Sequence, residues 1–275
     1  EVLGRRPDGF HDLVSLFQVV DFGDTLRLER TGADGPLTLR GMPGIAPEAN
    51  LVMRAIELFR RRAGLGEGVS AVIEKRIPIG AGFGGGSSDA AAALRGLQAL
   101  FGSPLGVDEL YDCARSLGSD VPFFLAAPAA LAEGRGERLR PVAPRLDFTL
   151  VAVTPRARVS TADAFAWLDE DRAARPPDVL PPDGILRAYR ELAPGSWRFS
   201  NSFDGVVTRR LAEVASVRAR MLAAGAPSPR LTGSGSTVIA VFDRAPDAAA
   251  CARRLAADPP PGCAPADVRV LAPLA

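Results

Sequence analysis

Apolar and polar residues follow two periods along this chain, and they divide it into short strands and longer helices. Apolar residues at helical spacing predict helices over residues 50–62, 88–101, 108–117, 203–224 and 246–257. Alternation or short apolar runs predict strands over residues 17–21, 25–29, 69–73 and 148–153, and a strand, a glycine turn and a second strand over 231–242. Because strands and helices do not alternate regularly, the pattern favours an α+β fold over a doubly wound parallel sheet.

The length of the chain, 275 residues, is near the upper limit for one compact core and suits two domains. The buried strand predicted at 148–153 is a natural start for a second domain. We therefore expect an N-terminal domain over residues 1–147 and a C-terminal domain over 148–275. The segment 171–183, rich in Pro, Asp and Arg, is predicted to be a mobile surface loop.

Charge and rare residue types narrow the classes of function. The 33 Lys and Arg residues nearly balance 32 Asp and Glu, which argues against a protein that coats nucleic acid. The single histidine, His11, excludes a multi-histidine metal site and disfavours Ser-His-Asp chemistry. Cys113, Cys251 and Cys263 show no C-x-x-C spacing, which favours reduced thiols in the cytoplasm. The sequence contains no run of about 18 apolar residues, so it predicts no membrane span.

A dense cluster of glycines stands between a predicted strand and a predicted helix. Gly80, Gly82 and Gly85 match G-x-G-x-x-G, which by itself is weak evidence. A dinucleotide-binding unit needs an acidic residue about 20 positions later at the end of the next strand, and here Asp108 stands at a helix start. A Walker A loop ends in Gly-Lys-Ser/Thr, and residues 85–87 contain no lysine.

A more general property of this loop remains. Glycines let the backbone of residues 80–86 turn its N–H groups inward without obstruction by Cβ atoms. The helix that begins near Ser87, Ser88 and Asp89 has unpaired first N–H groups and the positive end of its dipole there. These features predict a phosphate site, and a flexible loop with a serine cap is the alternative.

Residues 78–90 resemble the second signature motif of the GHMP kinases, and residues 231–237 resemble their third, C-terminal glycine motif. The resemblance implies a two-domain fold of mixed sheets packed with helices, with the active site in the cleft between domains. It also implies ATP and Mg²⁺ as cofactors and leaves the metal ligands unassigned. The residues that the resemblance assigns to ATP are Pro78, Ile79, Gly80, Ala81, Gly82, Phe83, Gly84, Gly85, Gly86, Ser87 and Ser88.

Three further segments resemble one subfamily of these kinases. Residues 4–13 resemble its R-x-D-G-Y-H-x-L box, residues 118–124 its G-A-D-V-P-F-F segment, and residues 133–137 its E-G-x-G-E segment. The resemblance implies phosphorylation of the 2-hydroxyl of a cytidine diphosphate-linked methylerythritol in the non-mevalonate isoprenoid pathway. We expect a monomer or weak homodimer with no nucleic-acid or membrane partner. Another GHMP kinase, such as a homoserine kinase, and a non-catalytic nucleotide-binding protein on this fold are the alternatives.

The resemblance makes Asp120 the catalytic base. An aspartate is one of the few groups that can align a substrate hydroxyl and take its proton during phosphoryl transfer. The alternative is a helix N-cap, because an aspartate followed by Val-Pro is a common helix start.

The resemblance also implies an aromatic sandwich around the cytosine ring. It assigns one face to Phe10, where the subfamily has tyrosine, and the other to Phe165, and it lets His11 read the polar edge of the base. The remaining predicted substrate-binding residues are Thr161, Gly233 and Ser234. A surface turn is the alternative for His11, and core packing is the alternative for Phe165.

The start of the chain departs from the family pattern. The family carries an A-K-x-N segment, whose lysine contacts the catalytic aspartate, shortly before the box at residues 4–13. This chain begins at Glu1, and its single lysine is Lys75, beside the glycine loop. A cation beside Asp120 would keep that aspartate ionised. We expect the natural protein to extend upstream with such a segment, and the chain as given to bind nucleotide but turn over poorly.

Overall fold

The computed structural model describes residues 1–42, 44–172 and 180–275. The strands in these ranges are β1 (Val2–Arg5), β2 (His11–Gln18), β3 (Thr25–Ala33), β4 (Leu37–Arg40), β5 (Glu67–Glu74), β6 (Ala129–Gly134), β7 (Arg138–Pro141), β8 (Thr149–Val153), β9 (Arg230–Leu231), β10 (Val238–Phe242) and β11 (Val268–Leu271). The helices are α1 (Leu51–Ala63), α2 (Gly85–Leu100), α3 (Val107–Leu117), α4 (Val121–Ala126), α5 (Thr161–Arg172), α6 (Pro182–Glu191), α7 (Phe203–Arg210), α8 (Ala212–Ala223) and α9 (Ala245–Ala257).

The strands pair into sheets ordered β1-β2-β6-β7, β3-β5-β4 and β11-β8-β10-β9. Strand β4 runs parallel to β5, while the other pairs are antiparallel. Mixed sheets packed with helices confirm the predicted α+β class. Within the described ranges, no helix is long and apolar enough to cross a membrane.

Helix α1 shows how local sequence signals set an element that supports the site. The Asn50 side chain accepts a hydrogen bond of 2.9 Å from the Val52 N–H, which satisfies one of the unpaired donors at the helix start. Gly64 ends the helix with φ of 64°, a left-handed conformation that favours glycine. Ile56 and Phe59 are fully buried in the cluster that joins α1 and α2 to the β3-β5-β4 sheet.

One hydrophobic cluster joins segments from both sides of residue 148. Val14 and Leu131, on the β1-β2-β6-β7 sheet, share it with Leu150, Tyr189 and Trp197. Every strand of the first two sheets precedes residue 148, and every strand of the third follows it. The division into domains at 147 and 148 stays a prediction.

The structure corrects several predicted boundaries. The strand predicted at 17–21 is wrong in its second half, because β2 ends at Gln18 and Val20 makes only an isolated bridge to Pro273. Helix α2 begins three residues before the predicted start at Ser88, and two helices, α7 and α8, occupy the predicted helix at 203–224.

The loop predicted at 171–183 overlaps helices at both of its ends. Helix α5 continues to Arg172 and α6 begins at Pro182, and residues 173–179 lie outside the described ranges. Cys113, Cys251 and Cys263 are all free thiols, which agrees with the absence of a disulfide spacing.

Candidate active site

The glycine loop connects the end of β5 to the start of α2, and its glycines adopt conformations that other residues avoid. Gly80, Gly82 and Gly84 have φ values of 67°, 82° and 69°. Gly84 caps α2 without a side chain, and the first helical hydrogen bond runs from Ser88 N–H to the Gly84 carbonyl at 2.9 Å. Among the described residues, the N–H groups of residues 85–87 have no protein acceptor, so they remain available to an anion.

The two glycine motifs pack against each other through their backbones. The Thr232 hydroxyl donates a hydrogen bond of 3.1 Å to the Gly82 carbonyl, and Thr237 N–H donates one of 3.4 Å to the Ala81 carbonyl. A Cβ atom on Gly82 would lie 2.2 Å from the Thr232 carbonyl oxygen. The close approach therefore requires glycine at residue 82, and it explains why segments 150 residues apart form one surface.

A buried ion cluster, formed by Lys75, Asp24 and Asp89, braces the start of the glycine loop. Lys75 Nζ lies 2.5 Å from an Asp24 oxygen and 2.8 Å from an Asp89 oxygen, and the three side chains are 15%, 2% and 5% exposed. The other Asp24 oxygen accepts hydrogen bonds from the N–H groups of Arg76 and Ile77 at 2.5 and 2.8 Å. The cluster ties the segment after β2 to the end of β5 and the first turn of α2.

The two carboxyl groups of this cluster differ in their proton affinity. Burial raises the pKa of Asp89 to about 6, against the lowering effect of Lys75. Burial alone would also raise the pKa of Asp24, but the hydrogen bonds from Lys75 and the two backbone N–H groups outweigh it and lower that pKa. Sequence reasoning noted Lys75 and Asp89 beside the loop but did not assign this cluster.

Asp120 immediately precedes α4, and its carboxylate is free. It makes no capping hydrogen bond, so the alternative of a simple N-cap is not supported. In the part of the chain that the structure describes, no hydrogen bond or ion pair engages this carboxylate. The Asp120 residue is exposed overall, but neighbouring protein atoms partly desolvate its carboxyl group, and this desolvation raises its pKa.

Neighbouring elements connect Asp120 to both ends of the site. A Cβ atom on Gly136, in the turn between β6 and β7, would lie 3.5 Å from Asp120 Oδ1. On the other side, the Phe124 ring of α4 lies 3.1 Å from where a Cβ atom on Gly84 would stand. The free carboxylate therefore lies beside the β6–β7 turn, at the start of a helix whose Phe124 ring approaches the glycine loop.

The structure brings His11 and Phe165 into direct contact. Their rings stack with centroids 4.5 Å apart and an interplanar angle of 18°. His11 Nε2 donates a hydrogen bond of 2.8 Å to Asp169, because a carboxylate can only accept. Asp169 lies one helical turn after Phe165 on α5. Phe165 also packs edge-on against Phe203 at 5.0 Å, so it contacts the core as well as His11.

Phe10 and the remaining predicted substrate residues lie at the rim of this group. The Phe10 ring is 49% exposed, and the Arg135 guanidinium carbon lies 3.4 Å from its centroid. Thr161, at the start of α5, has its hydroxyl 3.4 Å from the Ser234 hydroxyl of the third motif. The structure thus joins His11 with Phe165 and Thr161 with Ser234, while the Phe10 ring faces an arginine that sequence reasoning missed.

Two family models match this chain. The model of the GHMP kinases N terminal domain matches residues 50–127, which include the glycine loop and Asp120, and the model of the GHMP kinases C terminal region matches residues 186–260. The fold, the paired glycine motifs and these matches define a GHMP kinase.

Curated relatives narrow the class. A 4-diphosphocytidyl-2-C-methyl-D-erythritol kinase from Ralstonia nicotianae is 40% identical over 256 residues, covering 91% of this chain and 84% of the relative. One from Thermodesulfovibrio yellowstonii is 34% identical over 250 residues, covering 90% and 87%. The chain belongs to the 4-diphosphocytidyl-2-C-methyl-D-erythritol kinase family.

Solved structures agree with this assignment. A crystal structure of 4-(cytidine 5'-diphospho)-2C-methyl-D-erythritol kinase superposes with a TM-score of 0.81 and 35% identity, covering 100% of this chain and 94% of the other. A homoserine kinase from Cytophaga hutchinsonii has a TM-score of 0.67 at 16% identity, covering 94% and 88%, and shares the fold alone.

Proposed function

We propose that this protein transfers the γ-phosphoryl group of ATP to the 2-hydroxyl of 4-diphosphocytidyl-2-C-methyl-D-erythritol. The observation that carries the proposal is the free carboxylate of Asp120, which lies beside the β6–β7 turn and at the start of the helix whose Phe124 ring approaches the glycine loop. The neighbouring Arg135 of the same turn contacts the Phe10 ring. Such an arrangement suits phosphoryl transfer, where catalysis is mostly positioning and stabilisation of charge.

The glycine loop is the proposed cradle for the triphosphate. The positive φ values at Gly80, Gly82 and Gly84 and the unpaired N–H groups at the start of α2 fit phosphate oxygens. Mg²⁺ would neutralise charge on the β- and γ-phosphates. Within the described ranges no three His, Cys, Asp or Glu side chains converge, so the proposal gives the metal mainly phosphate and water ligands.

Asp120 is the proposed base. The oxygen of the substrate 2-hydroxyl attacks the γ-phosphorus, the bond from that phosphorus to the bridging β–γ oxygen breaks, ADP leaves, and Asp120 accepts the hydroxyl proton. The raised pKa of Asp120, caused by burial, makes this carboxylate a stronger base than an exposed aspartate.

The other end of the site is proposed to bind the cytosine. Phe10 offers a half-exposed aromatic face, and His11, fixed by Asp169 and stacked on Phe165, offers a ring nitrogen for the polar edge of the base. Base stacking on aromatic side chains is worth about 1–3 kcal/mol per base. Thr161, Gly233 and Ser234 remain proposed contacts.

A substrate panel tests the proposal. ADP release by the full-length protein would be coupled to NADH oxidation with the cytidine substrate, homoserine and mevalonate in separate reactions, and the product checked by phosphorus NMR. We expect turnover with the cytidine substrate alone. Preference for homoserine would indicate a different GHMP kinase, and ATP binding without turnover of any acceptor would indicate a non-catalytic nucleotide-binding protein.

The remaining expectations also stand as proposals. We infer a cytoplasmic location, because three free thiols are typical of a reducing compartment. A monomer or weak homodimer, with a small molecule as its only partner, suits the proposed activity. Sedimentation analysis of the purified protein checks the assembly state.

A further inference from the structure

We infer that Arg135 binds the diphosphate of the acceptor substrate and makes this site specific for a nucleoside diphosphate-linked alcohol. The inference rests on the proposed function and adds a residue that neither the glycine motifs nor the aromatic pair includes. It follows from where the arginine is anchored, what its guanidinium contacts, and what lies between the base and the reacting hydroxyl of such a substrate.

The backbone around Arg135 is held in a braced turn between β6 and β7. Arg135 N–H donates a hydrogen bond of 2.6 Å to the Glu137 carboxylate, and Gly136 N–H donates one of 3.1 Å to the Glu133 carbonyl. Gly134 and Gly136 have φ values of 70° and 105°, which suit glycine and keep the turn tight. The base of the arginine side chain is therefore fixed, while its long stem can still move.

This turn contacts both ends of the acceptor site. Gly136 adjoins Asp120, with 3.5 Å between a Cβ atom placed on the glycine and Asp120 Oδ1. The Arg135 guanidinium lies 3.4 Å from the Phe10 ring centroid. If the base stacks at Phe10 and the reacting hydroxyl lies at Asp120, the diphosphate that links them must pass the residue that stands between these two groups.

The charge of Arg135 is available for an anion. Within the described residues, no carboxylate oxygen lies within 4.0 Å of its guanidinium nitrogens. The field of Arg135 reaches Asp8, but that carboxylate already binds Arg6 at 3.1 Å. The contact with Phe10 stabilises the position of the guanidinium only weakly, because an exposed cation–π pair contributes only about 0.5–1 kcal/mol.

The chemistry of the guanidinium fits a diphosphate. Its planar fork donates paired hydrogen bonds to phosphate oxygens, keeps its charge at any working pH, and can stay stacked on an aromatic ring while it does so. One face of the guanidinium can therefore contact Phe10 while its edge binds the phosphates. Substrates without a diphosphate, such as homoserine, would leave this edge unpaired.

The decisive experiment compares Arg135→Gln, Arg135→Lys and the unaltered protein, with Arg140→Gln as the matched control. Arg140 lies on β7 in the same hairpin and pairs with Asp183 at 3.2 Å. The measurements are KM for ATP, KM for the cytidine substrate, and the inhibition constants of cytidine and of cytidine 5'-diphosphate.

We expect Arg135→Gln to raise KM for the cytidine substrate about 10- to 100-fold, because hydrogen bonds to charged groups are worth about 1.5–3 kcal/mol. KM for ATP stays within about two-fold, and Arg135→Lys recovers part of the loss. The preference of the unaltered protein for cytidine 5'-diphosphate over cytidine should largely disappear in Arg135→Gln. Arg140→Gln should match the unaltered protein in every measurement.

Two results would overturn the inference while leaving the proposed function intact. Unchanged KM for the cytidine substrate in Arg135→Gln would show that the arginine does not bind it. Equal weakening of cytidine and cytidine 5'-diphosphate would show that Arg135 supports the base and not the diphosphate. If the unaltered protein itself fails to phosphorylate the cytidine substrate, the proposed function fails and this inference fails with it.

Discussion

The proposed nucleotide end and the proposed acceptor end of this site are built from different parts of the chain. The nucleotide end is made of backbone: Gly82 packs directly against the main chain of Thr232, and the buried ion cluster of Lys75, Asp24 and Asp89 holds the loop in place. The acceptor end is made of side chains, of which Phe10 is half exposed and rests on Arg135.

This difference separates a rigid backbone loop from side chains whose contacts can change when a ligand binds. In the proposed function, backbone N–H groups recognise the phosphates that every ATP molecule shares, so a fixed cradle would be sufficient. At the acceptor end, His11 already stacks on Phe165, and a guanidinium already covers Phe10. If a cytosine ring stacks on Phe10 as proposed, it uses the part of this half-exposed residue that Arg135 leaves open or shifts the guanidinium aside, so binding at this end depends on side chains and can discriminate between substrates.

Replacing Asp120 should give the largest effect, because the proposed function makes this residue the base that acts on the reacting hydroxyl. We expect Asp120→Asn to lower kcat about 10²- to 10⁴-fold while both KM values stay close to those of the unaltered protein. Thermal stability should not fall, since the variant removes a carboxylate whose ionised form is disfavoured by burial.

The pH profile sharpens this prediction. The carboxylate must be ionised to accept a proton, so kcat should fall as the pH drops through the pKa of Asp120. Because burial raises that pKa, the acid limb should begin above 3.8, the ordinary value for aspartate. A wild-type kcat in Asp120→Asn would restrict this residue to a structural role.

Truncating Phe10 tests the acceptor end alone. Loss of one stacking face should raise KM for the cytidine substrate about 5- to 150-fold, which corresponds to about 1–3 kcal/mol, with KM for ATP unchanged. Because the ring is half exposed, Phe10→Ala should cost little stability, whereas Phe165→Ala also removes the contact with Phe203 and should lower Tm. Phe10→Tyr serves as the conservative control. An equal rise in both KM values would show that the two ends are not independent.

Substituting Gly84 tests the nucleotide end. Gly84 has φ of 69°, and a Cβ atom there would lie 3.1 Å from the Phe124 ring. The left-handed conformation costs other residues about 1–2 kcal/mol, so Gly84→Val should raise KM for ATP about 5- to 30-fold. Gly102→Val is the control, because Gly102 has φ of 73° with no atom near its Cβ position. An unchanged KM for ATP in Gly84→Val, or an equal rise in Gly102→Val, would contradict the proposal that this loop cradles the triphosphate.

The sequence predicts the nucleotide end better than the acceptor end, for a physical reason. The glycine loop and α2 are adjacent in the chain, so their chemistry is visible in one short segment. The ion cluster needs Asp24, which is 51 residues before Lys75, and no periodicity links the two. The available signal is that Lys75 is the single lysine of the chain. Arg135 stands at the variable position of its motif, so only the fold shows that it meets Phe10.

The same limit applies to the strands. Residues 129–134, rich in alanine, have low intrinsic preference for a strand, yet they form β6 because β2 pairs with them from Leu13↔Gly134 to Gln18↔Ala129. That pairing spans more than 100 residues and cannot be seen in local alternation. Helices α1, α3 and α9 were predicted to within one residue, since their apolar faces and end signals are local.

The smallest expected effects come from the ion cluster, where two carboxylates that share Lys75 should respond to substitution with opposite signs. Asp24 has a lowered pKa, so its ionised form stabilises the fold above about pH 3.8, and Asp24→Asn should lower the free energy of unfolding at neutral pH by about 2 kcal/mol.

Asp89 has its pKa raised from 3.8 to about 6, so the folded state binds a proton more tightly than the unfolded state. Its ionisation therefore costs stability, and this cost grows between pH 3.8 and about 6 and is complete above about 6. Asp89→Asn removes this cost, which the shift from 3.8 to about 6 limits to about 3 kcal/mol. Because a neutral amide accepts a weaker hydrogen bond from Lys75 than a carboxylate does, the net rise in the free energy of unfolding should be about 1 kcal/mol above pH 6. Urea unfolding at several pH values checks this, and the gain should shrink to nothing as the pH falls toward 3.8. Destabilisation by Asp89→Asn at neutral pH would mean that Lys75 needs both charges, and that the loop is held by an ion triad instead of by one strong pair.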